Sequence, residues 1–505
     1  MKKKHPYRFL GIVFALSCLL FVACDDDDYD HEAPIIKPDI IFYGLTASNQ
    51  IIQYNANASG TPISTVSVTG LQSGETLLAI DFRPATGQLY GLGSTSRLYS
   101  IHLASGGATA IGTEPFSPAI DGNTIGFDFN PTVDRIRIVT DNGQNLRLNP
   151  ETGVVAATDS QLNPDTPNIN GVAYTNSVAG ASATTLFDID VASQKLFKQD
   201  PPNDGTLVEV GALGVTLTAE GGFDISPDSD VALAALTVKG ANGLYQIDIG
   251  TGKATGLGMF SEAIIGIAIP TNPVAYSIDN ANNLLIFNFM TSESPASKPI
   301  TGLQTSETIL GLDMRPLTGQ LYALGSSSRI YTINMASAVA AAVGSASFDP
   351  LLEGTAFGFD FNPTVDRIRI VSDMGQNLRA HPVTGVVAFV DADLNPGTPA
   401  VSAAAYNTNM AGATATTLYD IDPAMDKLYR QVPPNDGKLE EVGSLGINVE
   451  ANNGFDIGGQ SNIAYAIFTV GSTTKIYSID LGNGAATAMS DAPAGAKGLA
   501  IGLGF

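Results

Sequence analysis

GFDFNPTVDRIRIV, Gly126 to Val139, occurs a second time, letter for letter, as Gly358 to Val371. The offset is 232 (358 − 126), and it holds from Thr69 to Phe505. RPATGQLYGLG from Arg83 answers RPLTGQLYALG from Arg315, and PPNDG at Pro201 answers PPNDG at Pro433. Ahead of Thr69 the offset is 233 (Tyr43 against Tyr276), so one residue has been gained or lost. The chain is a tandem duplication.

A shorter period runs inside each copy. A small residue, an apolar residue, Asp or Ala, then another apolar residue recurs around Asp81, Asp128, Ala173, Asp224 and Ala268, and again around Asp313, Asp360, Ala405, Asp456 and Ala500. Alternating apolar runs follow each landmark: RIRIV, NLRL and VVAAT after Asp128, separated by TDNGQ and NPETG. Such runs, broken by Asn, Asp, Gly and Pro, read as hairpins. No segment behind the leader keeps a helical period with caps. A repeat of about 45 residues with four strands is a β-propeller blade. The spacing therefore predicts an all-β protein of ten four-stranded blades.

The first blade begins near Ile40 without its small-apolar-Asp/Ala strand, and GLAIGLGF at the end is that strand alone. A C-terminal strand that completes an N-terminal blade removes the open sheet edge. Two tandem five-bladed propellers, 40–270 and 271–505, fit this. The alternative is one ten-bladed ring, because Ala268 and Tyr276 are separated by no more than an ordinary hairpin.

In GFDFN, Phe127 and Phe129 point to one side, and Gly126, Asp128 and Asn130 to the other. The phenyl rings are expected between blades, and Asn130-Pro131 as a rigid turn. Arg135 and Arg137 share a face, as do Arg367 and Arg369. Either Asp128 or Asp134 meets one of these arginines across the hairpin and fixes register, or Asp128, Arg135, Arg137, Asp360, Arg367 and Arg369 line a rim that holds an anion or carboxylate. The phased Asp81, Asp128 and Asp224, with Asp313, Asp360 and Asp456, pose a second choice. They cap backbone amides of their own or the next blade, or they converge on the axis and hold a hard cation such as calcium.

MKKKHPYRFLGIVFALSCLLFVAC opens the chain: a basic segment, an apolar run too short to span a bilayer, then a small residue before Cys24. This resembles a bacterial lipobox, which implies cleavage after residue 23 and a lipid on Cys24; an ordinary signal peptide holding a cysteine is the alternative. Residues 24–39, with DDDDYD, read as an acidic tether. That run resembles the surface-export signal of Bacteroidetes lipoproteins, and a plain solvated spacer reads the same way. The implied location is the cell envelope, anchored to the outer membrane and exposed at the surface.

With Cys18 in the leader and Cys24 at the anchor, the folded part has no thiol, so its core alone must hold it. The formal net charge is −24, and −28 without the leader's Lys2, Lys3, Lys4 and Arg8. Such a surface repels phosphate backbones, so nucleic acid is not an expected partner.

GFDFNPTVDRIRIV followed by GQNLR and the turn of Pro150, Thr152 and Gly153 resembles DUF4394, an uncharacterised bacterial domain family, over both copies. Members with one copy favour five-bladed rings; the resemblance brings no activity. His102 and His381 are replaced in the other copy by Asn334 and Asn149, which argues against a shared histidine-based site, and no nucleophile elbow, P-loop or EF-hand spacing appears. The residues leave three functions open. One is a non-enzymatic surface protein that binds a protein or glycan. Another is a polysaccharide hydrolase or lyase using channel carboxylates. The third is an adhesion role between cells.

Overall fold

The structure, a computed structural model, describes residues 35–505 apart from 165–166 and 452. The leader, Cys24 and most of the acidic tether lie outside the described residues. Asp39, at the tether's end, accepts hydrogen bonds from the side chains of Asn55 (2.7 Å) and Asn57 (3.1 Å).

The described residues form strands, turns and three single-turn 3-10 helices, Ala56–Ala58, Pro202–Asp204 and Pro434–Asp436. The strands make ten four-stranded antiparallel sheets, the ten blades of the repeat. The blade carrying the duplicated motif shows why the sequence folds this way. Its strands are Ile125–Asn130, Arg135–Thr140, Asn145–Leu148 and Val155–Thr158. At the first turn Asn130 Oδ1 accepts from Thr132 N (3.0 Å), and Asp134 adopts φ 50°, a left-handed conformation that aspartate tolerates. That turn sets the register Asp128 to Arg137 and Phe129 to Ile136. Phe127 and Phe129 are both buried against Tyr90, Leu92 and Leu98 of the preceding blade. Phe129 meets Tyr90 edge-on at 5.2 Å, a geometry that contributes about 0.5–1.5 kcal/mol beyond area burial.

The chain closes two five-bladed rings. Ile264–Ala268 returns to pair with Ile41–Thr46, with Tyr43 opposite Ala268, and completes the first ring. Lys497–Ile501 pairs with Ala275–Ile278, with Tyr276 opposite Ala500, and completes the second. Each inner strand packs against the next around its axis. The single ten-bladed ring is thereby set aside.

Residues 37–505 form one compact unit, and the rings pack on each other. The turn after Arg83 in the first ring enters the core of the second, where Ala85 joins Val274, Tyr276 and Leu503. Tyr276 Oη donates to Ala85 O (2.9 Å), and Gly504 N donates to Thr86 O (2.8 Å). Gly87 lies at φ 69° with the Phe505 ring over it; an added Cβ would come within 2.3 Å of that ring.

Candidate functional site

Of the two readings of the phased aspartates, convergence on the axis is present in both rings. One oxygen from each of Asp81, Asp128 and Asp224 lies within 4.8 Å of the others, and the same holds for Asp313, Asp360 and Asp456. All six side chains are buried. The inner strands place them because each landmark sits at the same step of its strand, facing the axis. Ala173 and Ala268 fill the two remaining positions of the first ring, and Ala405 and Ala500 those of the second.

The carboxylates also stitch the blades together. Asp81 takes Phe82 N (2.7 Å) and, from the next blade, Phe129 N (2.8 Å). Asp128 Oδ1 takes Tyr174 N at 3.1 Å. Asp224 takes Ile225 N (2.6 Å) and the closing strand's Ile269 N (2.5 Å). The second ring repeats this with Met314 and Phe361 on Asp313, Tyr406 on Asp360, and Ile457 and Ile501 on Asp456. The amide-capping alternative is therefore what these side chains do.

Three carboxylates in so small and dry a space cannot all carry charge. Burial, and then the Asp224 charge, push Asp81 well above the ordinary carboxylate range, against the pull of its two backbone amides. Burial and the charges of Asp81 and Asp224 do the same to Asp128. Burial pushes Asp224 and Asp456 up to about 7. Near neutral pH each trio is expected to hold protons. Calcium takes roughly six to eight oxygens. In each trio both oxygens of two carboxylates and one of the third already accept backbone amides. A cavity of about 10 Å³ in the first ring, lined by Ile80, Phe127, Val172, Phe223 and Ile267, lies one residue along the strands; its counterpart in the second ring is about 20 Å³. That is room for about one water. The donor set fits shared protons better than calcium.

The arginines are arranged otherwise than the hairpin reading expects. Neither Asp128 nor Asp134 pairs with an arginine of its own hairpin through its carboxylate. Arg137 is buried between blades and donates to Asn145 (2.6 Å), Asp159 (2.6 Å), Asn203 (2.8 Å) and Tyr174 Oη (3.3 Å). Arg369 repeats this with Asn377, Asp391, Asn435 and Tyr406. Buried guanidinium groups with four of their five N–H donors spent on protein partners are poorly placed to hold an external anion. Arg135 and Arg367 donate to the carbonyls of Asp134 (2.7 Å) and Asp366 (2.8 Å). Asp134 belongs to Arg83 of the preceding blade, at 2.9 Å from Nε, and Asp366 to Arg315, at 2.8 Å. Reading across one hairpin misses a pairing made between blades. The signal was present: the Arg-Pro-x-Thr-Gly-Gln turn recurs in both copies.

Two further side chains went unnoticed in the sequence. Asp188 and Asp420 are fully buried, and neither oxygen of either carboxylate has a hydrogen-bond partner in the structure. Burial pushes Asp420 up to about 8, with Arg369 pulling the other way. Among the larger concavities, a cleft of about 310 Å³ lies where the rings meet. Ser182 and Ala179 of the first ring, Asn272 of the junction, and Ile286, Asn288 and Glu293 of the second ring line it.

Two structures of the extracellular domain of BT4673 from B. thetaiotaomicron are similar to this chain at 12% and 13% identity and TM-scores of 0.26. They cover 91% and 90% of this chain, and this chain spans 65% and 70% of theirs. The dihydro-heme d1 dehydrogenase NirN in complex with DHE is similar at 12% identity and a TM-score of 0.24, over 81% of this chain and 74% of that one. Likenesses so distant carry no functional inference. Comparison with curated proteins gives no match. The family described as "Domain of unknown function (DUF4394)" matches residues 50–268 and again 283–501, and the chain belongs to it, with two tandem copies.

Proposed function

We propose that this is an exported, lipid-anchored interaction protein, held to the outer membrane through Cys24 and exposed at the cell surface, that binds a protein or glycan without turning it over. The burial of the axial carboxylates carries this reading. The cavities nearest them along the axis, lined by their strand neighbours, measure about 10 and 20 Å³, whereas sites for small organic ligands measure roughly 300–1,000 Å³. A polysaccharide hydrolase or lyase working through these groups would need a sugar beside them, and no sugar fits. The cleft between the rings, at about 310 Å³ and with Ser182, Asn272, Asn288 and Glu293 around apolar walls, is a concavity of the size a small glycan needs and is built from both rings.

Panels of glycans and surface proteins, applied to residues 37–505, test the reading. The expected result is binding without product release, weakened by Asn272→Ala. Release of product that Asp128→Asn and Asp360→Asn abolish, with the fold intact, would replace this reading by the hydrolase or lyase. Incorporation of labelled palmitate, lost in Cys24→Ala, tests the anchor.

A further inference from the structure

The second ring opens into a pocket of about 210 Å³ at one end of its axis. Leu310, Phe357, Ser402, Asn453 and Lys497 line it, one from each of the five blades, each at or beside the start of its innermost strand. Each stands three positions ahead of its blade's Asp or Ala landmark. At the rise of an extended strand, the pocket is therefore roughly 10 Å from the trio of Asp313, Asp360 and Asp456. The cavity of about 20 Å³ lies between them and holds about one water, so a molecule in the pocket does not reach the carboxylates.

The two copies differ at this mouth. The first ring has Ile265 where the second has Lys497, and Gly221 where the second has Asn453. Lys497 is the one charged residue among the described residues that line the pocket. Burial holds its ammonium below the ordinary lysine range while Asp279 pulls the other way, and no hydrogen bond among the described residues occupies it. Asp279 is spent on its own turn, accepting from Ala281 N (2.9 Å), Asn283 N (2.8 Å) and Asn283 Nδ2 (2.7 Å). Ser402 and Asn453 are buried and hold each other, Asn453 Nδ2 donating to Ser402 Oγ at 2.8 Å. Thr355, also at the mouth, is tied to Asp373 at 2.7 Å. The pocket thus offers one cation, two fixed polar side chains and the apolar flanks of Leu310 and Phe357.

We propose that this axial pocket of the second ring binds a sugar carboxylate, a uronate, with its carboxyl group on Lys497 and its hydroxyls on Ser402 and Asn453. Charge selects among anions. One ammonium matches one carboxylate, whereas a phosphate dianion would keep an unpaired charge inside a protein of formal charge −24. A zwitterionic amino acid would bring an ammonium, and no acidic side chain lines the pocket among the described residues. A purely apolar carboxylate would leave Ser402 and Asn453 unmatched, and an uncharged sugar would leave Lys497 so. A volume of about 210 Å³ takes about one sugar ring. The site is separate from the cleft between the rings, and neither reading depends on the other.

Calorimetric titration of residues 37–505, the compact unit in which both rings close, with glucuronate tests this. Binding with a Kd on the order of 1 mM is expected, as suits a ligand of this size. Lys497→Ile, which installs the first ring's residue, should weaken it about tenfold or more, the loss of one charge-assisted hydrogen bond. Lys438→Ile removes the same charge from an exposed ion pair with Glu440 and should leave the affinity unchanged. An unchanged thermal midpoint confirms that both variants fold. Methyl glucuronide separates the two sources of the group: if it binds as well as the free acid, the ligand is the end of a chain, and if only the free acid binds, it is a monosaccharide. No heat with glucuronate up to roughly 10 mM, about ten times the expected Kd, overturns the proposal. So does glucose or inorganic phosphate binding as tightly as glucuronate, or glucuronate binding that survives Lys497→Ile.

Discussion

Arg83 and Asp134 stand on neighbouring blades, and the guanidinium grips both carboxylate oxygens, Nε to Oδ1 at 2.9 Å and Nη2 to Oδ2 at 2.5 Å. The second copy makes the same pair between Arg315 and Asp366, at 2.8 and 2.5 Å. Only the setting differs. Arg83 is wholly buried because the second ring covers it, and it also donates to Gly319 O at 3.2 Å. Arg315 and Asp366 are 12% and 32% exposed.

That contrast yields an expected outcome for one substitution made twice. Asp134→Ala leaves a buried guanidinium with only Glu151, at 3.3 Å, for charge compensation, and should destabilise by about 3 kcal/mol. Asp366→Ala lets Arg315 turn to water and should cost about 1 kcal/mol or less. Urea midpoints of the two variants check this; equal losses would show that the ring-to-ring contact is not what buries Arg83.

The axial trios make stability depend on pH in a stated direction. Burial raises the folded pKa of Asp224 and Asp456 from 3.8 to about 7, so between about pH 4 and 7 the folded state holds protons that the unfolded state has released. Their contribution is therefore fully present below the unfolded pKa and is lost as pH rises through about 7. Asp224→Asn with Asp456→Asn should flatten the fall in the urea midpoint between pH 5 and 8. An undiminished slope would mean that the trios are not what titrates.

Much of this was legible in the residues, and the limits were physical. The period of the Asp/Ala landmarks gave the blades, and the lone terminal strand gave ring closure. Convergence of Asp81, Asp128 and Asp224 followed, because equivalent inner-strand positions must meet at an axis. Capping of amides in the same or the next blade is the other reading that the pattern allows, and Phe129, Tyr174 and Ile269 of the next blade supply them; that capping and convergence hold together was not legible. Likewise Arg137 lay open to a local partner, but it reaches Asn203, 66 positions away. Side-chain pairing between blades depends on how the sheets are rotated about the axis, which no local pattern encodes. The burial of Arg83 depends on how one ring sits on the other.

Close approach of the inner strands sets a further expectation. A Cβ on Gly126 would lie 2.7 Å from Val172 Cγ1, a side chain with some freedom to move. On Gly358 it would lie 2.7 Å from the backbone nitrogen of Ala404, which cannot move without shifting its strand. Both alanine variants overpack, by about 1–3 kcal/mol, and Gly358→Ala should be the worse of the two. Thermal unfolding of the pair decides it; the reverse order would mean that the second ring's inner strands give way more easily than its contacts imply.

Asp420 supplies the sharpest case. Its carboxyl is fully buried on the strand Leu418–Asp422, neither oxygen has a hydrogen-bond partner in the structure, and burial pushes it up to about 8. The unfolded chain releases this proton near pH 4, so the folded state is penalised progressively as pH climbs from about 4 towards 8. Asn resembles the protonated acid in shape and never ionises. Asp420→Asn should match the parent near pH 4 and exceed it at pH 9, by an amount on the order of several kcal/mol, since each unit by which folding raises a pKa is worth about 1.4 kcal/mol once the group must ionise. Asp188→Asn should move in the same direction, because Asp188 occupies the equivalent place in the first ring and is likewise pushed up by burial. Urea unfolding of both variants at the two pH values is the check. A variant less stable than the parent at pH 9 would mean that the carboxylate there is charged and held by Arg369 or Arg137, and the burial argument would fail at both positions.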